Sequence, residues 1–255
     1  MKHSYKPQSE WGGGARGFSP FKGKNCLGEG FTLAEVLITL GIIGVVAALT
    51  LPTVMANYRK KEVETKLAKI YSVMNQAINL NIAEHGDYKN WVKDCGGSNA
   101  PTCSSEEVRD WYNEYLGKHI KSTKVKIASV KAPTVDVLRE GVLIYFADGS
   151  ILFINNYIYD MYFYTDKKAI SRNELGKSRF SFNFNPNNIT QTGNTYNTTN
   201  SIKGFEPYST SWDGTRENLI NHTSYGCSTT NSKVYCAKLI QYEGWKIPDD
   251  YPIKF

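Results

Sequence analysis

Residues 30–56 read GFTLAEVLITLGIIGVVAALTLPTVMA, a stretch in which Glu35 is the single charged residue. Nothing from Val36 to Ala56 can ionise. Twenty helical residues rise about 30 Å, the thickness of a bilayer's hydrocarbon core, so the run is long enough to cross a membrane. A carboxylate in such a run costs roughly 3 kcal/mol on insertion scales and marks a functional position by default. Pro52 lacks a helical N–H and predicts a kink or a local loosening near the end of the run. Gly41 and Gly44 add two soft points, or places where another helix packs closely.

Upstream, residues 1–30 are polar and glycine-rich, with Lys2, Lys6, Arg16, Lys22 and Lys24 against Glu10 and Glu29. No periodic apolar face exists there to bury a core, and the segment reads as a flexible leader. Downstream, Arg59, Lys60 and Lys61 mark the exit from the run, and EVETKLAKIYSVMNQAINLNIAEHG (62–86) is amphipathic. Val63, Leu67, Ile70, Met74, Ala77 and Asn81 recur at steps of four and three, with Tyr71, Ile78 and Ile82 widening the face. Gly86 is placed to cap the C-terminus. The pattern predicts one helix from Phe31 to about residue 85, roughly 80 Å long at 1.5 Å per residue. Two helices separated at Pro52 are the alternative.

Beyond it, a second helix is expected at 105–116, where Ser104 and Glu107 have capping-box spacing and Gly117 ends the run. Two β-rich runs flank Asp148-Gly149 in GVLIYFADGSILFINN (141–156), a hairpin signal. Further strands are expected at 123–130, 157–164 and 179–184, the last with Phe180, Phe182 and Phe184 alternating with polar residues. Residues 185–204, rich in Asn and Thr, read as an exposed loop. The order of elements predicts an α+β chain, a long N-terminal helix packed on an antiparallel β-sheet head.

Three explanations compete for the apolar run. A secretory signal peptide has a shorter apolar core, although Val54-Met55-Ala56 could pass as its cleavage site. A plain anchor leaves Glu35 unexplained. The third comes from GFTLAEVLITLGIIGVVAALTLP (30–52), which closely resembles the prepilin N-terminal motif of type IV pilins and type II secretion pseudopilins. The resemblance covers about 25 residues. It implies that a membrane peptidase cuts after Gly30 and methylates the new N-terminal amine on Phe31. Glu35 is then the fifth mature residue, where that family places its single acidic side chain, and Pro52 matches the family's helix proline. The residue before Gly30 is Glu29, where family leaders often have a basic one.

A physical reason accounts for the spacing. Cleavage leaves a positive amine at the edge of an apolar helix, and a carboxylate one turn on can pair with a neighbour's amine. In low dielectric such a pair is far stronger than in water, and either charge left alone is costly. Subunits stacked in one axial register are thereby favoured.

The chain carries Cys26, Cys95, Cys103, Cys227 and Cys236, and loss of the leader takes Cys26 with it. Local pairing, Cys95 with Cys103 and Cys227 with Cys236, then closes two loops of about ten residues, each worth roughly 2.5–3 kcal/mol in the chain-entropy model. Four cysteines permit three connectivities. A zinc site drawing on His85, His119 or His222 is the competing use, but the cysteine gaps are longer than those of zinc knuckles.

Net charge is +6 over 255 residues, half of it from the leader, so no basic stripe suggests a nucleic-acid partner. No nucleophile elbow, Walker loop, zincin motif or dinucleotide fingerprint is present. Calcium on acidic loops lacks EF-hand spacing. The aromatic run YIYDMYFY (157–164) suits strand packing or a partner-binding patch. Trp245, Ile247 and Tyr251 suit packing of the head.

The sequence therefore predicts a non-enzymatic subunit without cofactor or metal. Residues 1–30 are expected to be a leader, 31–85 a helix (membrane-spanning over 31–56, amphipathic over 57–85) and 86–255 a globular head. The resemblance implies prepilin peptidase, other pilin or pseudopilin subunits and the bacterial inner membrane as partners, with the head in the periplasm and later in a filament. Pilus or secretion pseudopilus, and major or minor subunit, both stay open. A membrane-anchored or secreted periplasmic binding module or enzyme, using the run only for export, is the alternative.

Overall fold

A computed structural model describes residues 30–87, 90–91, 103–132, 137–156, 158–184, 190–192, 195–197 and 204–255. The expected leader up to Glu29, Cys26 and Cys95 lie outside the described residues. The chain divides into two compact units, Met1–Leu49 and Thr50–Phe255.

Helix α1 covers Leu33–His85 without interruption at Pro52, so the single-helix expectation holds and the two-helix alternative does not. It starts two residues later than expected, because Thr32 serves as its cap. In the first unit its side chains are almost all exposed: Leu37, Ile38, Ile42, Ile43 and Val45 each show about 60 % of their surface. In the second unit the character changes at Val63. Val63, Leu67, Ile70, Met74, Ala77, Ile78 and Asn81 are buried, the stripe that the three-and-four spacing predicts. Each apolar side chain on that stripe contributes about 1.5–3 kcal/mol by leaving water, Ala77 less. The helix ends where Gly86 takes a φ of +76° and its N–H donates to Ile82 O at 2.9 Å. A left-handed residue just past the last turn suits glycine because no Cβ is strained there.

Helix α2 (Ser105–Tyr112) begins with the expected capping box. Ser104 Oγ accepts from Glu107 N at 3.2 Å while the Glu107 carboxylate accepts from Ser104 N at 2.8 Å. The α-helix is shorter than the sequence suggests. After Tyr112 the chain widens into a π-type turn over Asn113–Gly117. The carbonyl of Tyr115, within that turn, accepts from the buried Asn81 Nδ2 of α1.

Six strands form one antiparallel sheet. Strands β1 (Lys124–Lys131), β2 (Leu138–Tyr145), β3 (Ile151–Asn155), β4 (Asp160–Tyr164) and β5 (Arg179–Phe184) follow one another as a meander. After β5 come β6 (Thr190–Thr192) and β7 (Thr195–Asn197), a small two-stranded pair inside the stretch expected to be a loop. Strand β8 (Phe205–Pro207) then returns beside β5 and closes the sheet edge. Three short helices complete the fold: α3 (Ala169–Arg172), α4 (Arg216–Asn221) and α5 (Cys236–Tyr242).

The β2–β3 hairpin sits where Asp148-Gly149 predicts it, with a five-residue connection, 146–150. Phe146 N still donates to Ser150 O at 3.0 Å across its base. Asp148 Oδ1 accepts from Ser150 N and from its hydroxyl, and Gly149 takes φ +80°. An aspartate that ties the backbone two residues on, followed by a left-handed glycine, builds this kind of turn.

Strand alternation divides the side chains between two faces. Val142, Ile144, Leu152, Ile154, Met161 and Phe163 join Phe180, Phe182 and Phe184 in the main core with the buried stripe of α1. Leu143, Ile151, Phe153, Tyr162 and Tyr164 form a second cluster on the opposite face. All six residues of β5 are buried, so the polar positions between its phenylalanines are not solvent-facing. Arg179 is among them. Its guanidinium lies 4.2 Å from the Tyr162 ring centroid and 5.4 Å from that of Tyr164, and it donates to Lys131 O at 2.8 Å and to Asn173 Oδ1. Burial lowers its pKa from the usual arginine value, while the facing rings favour the charge. The aromatic run of β4 is thus strand packing.

Candidate functional site

The processing and assembly residues expected from sequence lie at the start of α1. Gly30 is exposed, with no atom near the position a Cβ would take. Phe31 is 88 % exposed. Thr32 and Glu35 form a capping box of their own. Glu35 Oε2 accepts from Thr32 N at 2.8 Å and from Thr32 Oγ1 at 2.9 Å, while Glu35 N donates to Thr32 Oγ1 at 3.2 Å. Glu35 therefore satisfies orphan donors at the helix start. Its Oε1 takes no part in these bonds. The carboxylate also sits in the first turn, where the positive end of the helix dipole favours it.

By length and composition α1 is able to span a membrane, and its most apolar window is wholly unburied. Along the helix after that window, polar contacts seat it on the rest of the second unit. Glu64 Oε1 accepts from Ile247 N at 2.9 Å, and its carboxylate lies 3.4 Å from Lys61 Nζ and 3.5 Å from Lys246 Nζ. Burial pushes the Glu64 pKa up, but these donors outweigh it and hold the group below its usual range. Lys66 Nζ donates to Thr165 O and pairs with Glu62, both at 2.7 Å. Lys69 Nζ reaches Asp148 Oδ2 at 2.7 Å.

Two residues further on, Tyr71 OH donates to Glu206 Oε1 at 2.7 Å, and Gln241 Nε2 donates to Glu206 Oε2 at 2.9 Å. Burial and this carboxylate together raise the Tyr71 pKa far above that of a free tyrosine. Asn75 pairs with the backbone of Phe205. At the far end Trp91 Nε1 donates to Gly86 O at 3.2 Å, Trp111 Nε1 donates to Trp91 O at 3.0 Å, and the Trp91 and Tyr115 rings stack with centroids 5.0 Å apart. The apolar spacing in the sequence locates the stripe, but nothing in it names Glu64, Tyr71, Asn75 or Glu206 as the polar fasteners. Their partners lie far away along the chain.

Cys227 and Cys236 are joined, with Cα atoms 4.7 Å apart, as local pairing predicts. The bridge links the segment after α4 to the first residue of α5 and excludes zinc on these two sulfurs. Cys103 is also disulfide-bonded; its expected partner Cys95 lies outside the described residues. Among the described residues no group of three or more His, Cys, Asp or Glu side chains is placed to hold a metal. Trp245 packs against Tyr71 with centroids 5.0 Å apart, and Ile247 and Tyr251 are buried, so all three belong to the head's packing.

Residues 53–255 match a family described as "Family of unknown function (DUF6613)", and the chain belongs to it. The match begins one residue after Pro52. No curated protein matches the chain. No solved structure matches it.

Proposed function

We propose that this chain is a prepilin-like structural subunit, not an enzyme: it is cut after Gly30 and methylated on Phe31 by a prepilin peptidase. It then assembles with like subunits into a pilus or a type II secretion pseudopilus. The observation that carries the reading is the division of one unbroken helix. Its first part is apolar and exposed around a single carboxylate, and its later part is seated along one buried stripe. Exposed apolar surface of this extent needs a bilayer first and partner helices afterwards. Glu35 Oε1 is the acceptor left for the Phe31 amine of a neighbouring subunit, since Oε2 already serves Thr32. The inner membrane holds the subunit before assembly, with the head on the periplasmic side, where the two disulfide-bonded sites suit an oxidising compartment.

Mass spectrometry of the purified protein tests the reading. A mature N-terminus at Phe31 carrying one methyl group is expected. A start at Met1 or at Asn57 would overturn it, the latter in favour of a head that is exported by way of a cleaved signal sequence.

A further inference from the structure

A cleft of about 730 Å³ opens beside the first turns of α1 that follow the apolar run. Five basic side chains line it, Arg59, Lys167, Lys168, Arg172 and Lys177, against three carboxylates. The carboxylates are already engaged. Glu62 pairs with Lys66 at 2.7 Å, Asp166 accepts from Arg172 at 2.6 Å and from Ala169 N at 3.0 Å, and Glu174 lies 3.3 Å from Arg172 Nε. Arg59, Lys167, Lys168 and Lys177 have no ion-pair partner among the described residues, and Arg59, Lys167 and Lys168 are exposed. The cleft thus presents uncompensated positive charge, although its residues also supply anions.

Its depth identifies the ligand. Arg59 stands three residues beyond Ala56, about 4.5 Å of helical rise, and Val63 seven residues beyond, about 10 Å. A headgroup layer is roughly 5–8 Å thick on each side of the hydrocarbon core. A run embedded up to Ala56 therefore holds Arg59, on one wall of the cleft, at the level of lipid phosphates. We propose that this cleft binds the phosphate of anionic phospholipid headgroups and so anchors the head against the membrane surface before the subunit leaves it. The proposal rests on the membrane-spanning reading of α1. Lys66 locks the two walls together, because it donates to Thr165 O while pairing with Glu62.

The test uses the full chain in detergent micelles, titrated with phosphatidylglycerol and followed by native mass spectrometry. A bound lipid is expected, weakened roughly thirtyfold by Lys167→Gln with Lys168→Gln, at the usual worth of a lysine near an anionic surface. Lys118→Gln with Lys121→Gln, which removes equal charge in the segment where Lys118 meets Glu84 at the other end of the helix, is expected to leave the affinity unchanged. Arg59→Gln, on a different wall, is expected to weaken binding severalfold and guards against misfolding of the lysine pair. Equal affinity in all variants overturns the proposal. So does inorganic phosphate that displaces the lipid, which would assign the cleft to a soluble anion, and so does phosphatidylcholine binding as well as phosphatidylglycerol. Flotation of the parent chain with vesicles after alkaline washing separates the two readings. A chain that does not float defeats the membrane-spanning helix itself, whereas one that floats without preferring anionic lipid defeats the cleft alone.

Discussion

Asn75 pairs with Phe205 as a neighbouring strand would: its Nδ2 donates to Phe205 O at 2.8 Å and its Oδ1 accepts from Phe205 N at 3.3 Å. A side-chain amide on α1 thereby completes the outer edge of β8, the three-residue last strand of the sheet. The same amide also donates to Tyr71 O at 3.0 Å within the helix. Asn75→Ala leaves both backbone groups of Phe205 without partners in a half-buried site. A loss of about 2–3 kcal/mol is expected from urea unfolding of the full chain in detergent. Asn75→Asp keeps the acceptor but sets a carboxylate against Phe205 O, and it should be no better than alanine. A change under half a kcal/mol for both would show that β8 does not depend on this pair.

Lys69 and Asp148 make the stability of the head sensitive to acid. Burial pushes the Asp148 carboxyl up, but hydrogen bonds from Lys69 and Ser150 outweigh it and hold the pKa below the ordinary aspartate range. A depressed value in the folded state means that the unfolded chain takes up the proton first. The contribution is complete above the unfolded aspartate pKa of about 3.9 and is lost as pH falls through the lower folded value. Asp148→Asn should lower the urea midpoint at neutral pH and flatten its decline in acid. An acid limb as steep as the parent's would assign the effect to other carboxylates.

Removing the Cys227–Cys236 bridge frees a loop of about ten residues, and the chain-entropy model sets the loss near 2.5–3 kcal/mol. Both cysteines are fully buried, Cys236 beside Gly176. Cys227→Ser with Cys236→Ser should therefore lose somewhat more than the model figure, because two buried hydroxyls need partners. Cys227→Ala with Cys236→Ala should come closer to it. Melting curves of the two double variants against the parent measure the difference, and melting unchanged in both would refute a structural role.

Glu35 has two separable roles. Gln retains the ability of the third helical residue to cap Thr32, whereas Ala does not. Helix stability should consequently fall by roughly 0.5–1 kcal/mol in Glu35→Ala and little in Glu35→Gln. Filament assembly, if it depends on the charge meeting a neighbour's amine, should drop by at least an order of magnitude in both. Membrane insertion should be normal in both. Filament yields that follow the cap, normal in Gln and reduced in Ala, would reduce Glu35 to a helix-start signal.

Much of the fold was legible because its signals are local. The three-and-four spacing from Val63 to Asn81 marks the buried stripe, Gly86 marks the helix end, and Ser104 with Glu107 marks the start of α2. Asp148-Gly149 locates the hairpin, and the phenylalanines of β5 locate its core face. Less legible was the other face of β5. Arg179, Ser181 and Asn183 read as solvent positions by type, yet they are buried. Their environment is set by neighbouring strands and by Asn173 and Lys131, which no spacing rule connects to them. The π-type turn after Tyr112 was equally hidden, since a carbonyl held by Asn81 lies 34 residues away from it. At the candidate assembly site, Glu35 stood out as the lone charge, while its bond to Thr32 is visible only with helix geometry in hand.

By itself, then, the sequence determined where α1 begins to be apolar, where it becomes one-sided and where it ends, because charge, period and a left-handed glycine act over a turn or two. It also determined that two nearby cysteines could meet. Only the tertiary structure decided what the one-sided half rests on. Glu64 reaching Ile247, Tyr71 reaching Glu206 and Asn75 reaching Phe205 span 130 residues or more. Such pairs arise when a sheet's topology brings a late strand and the C-terminal segment against an early helix, and topology is a property of the whole packed chain. The long helix was foreseeable from its apolar run and the three-and-four spacing that follows it; its seat required the rest of the head.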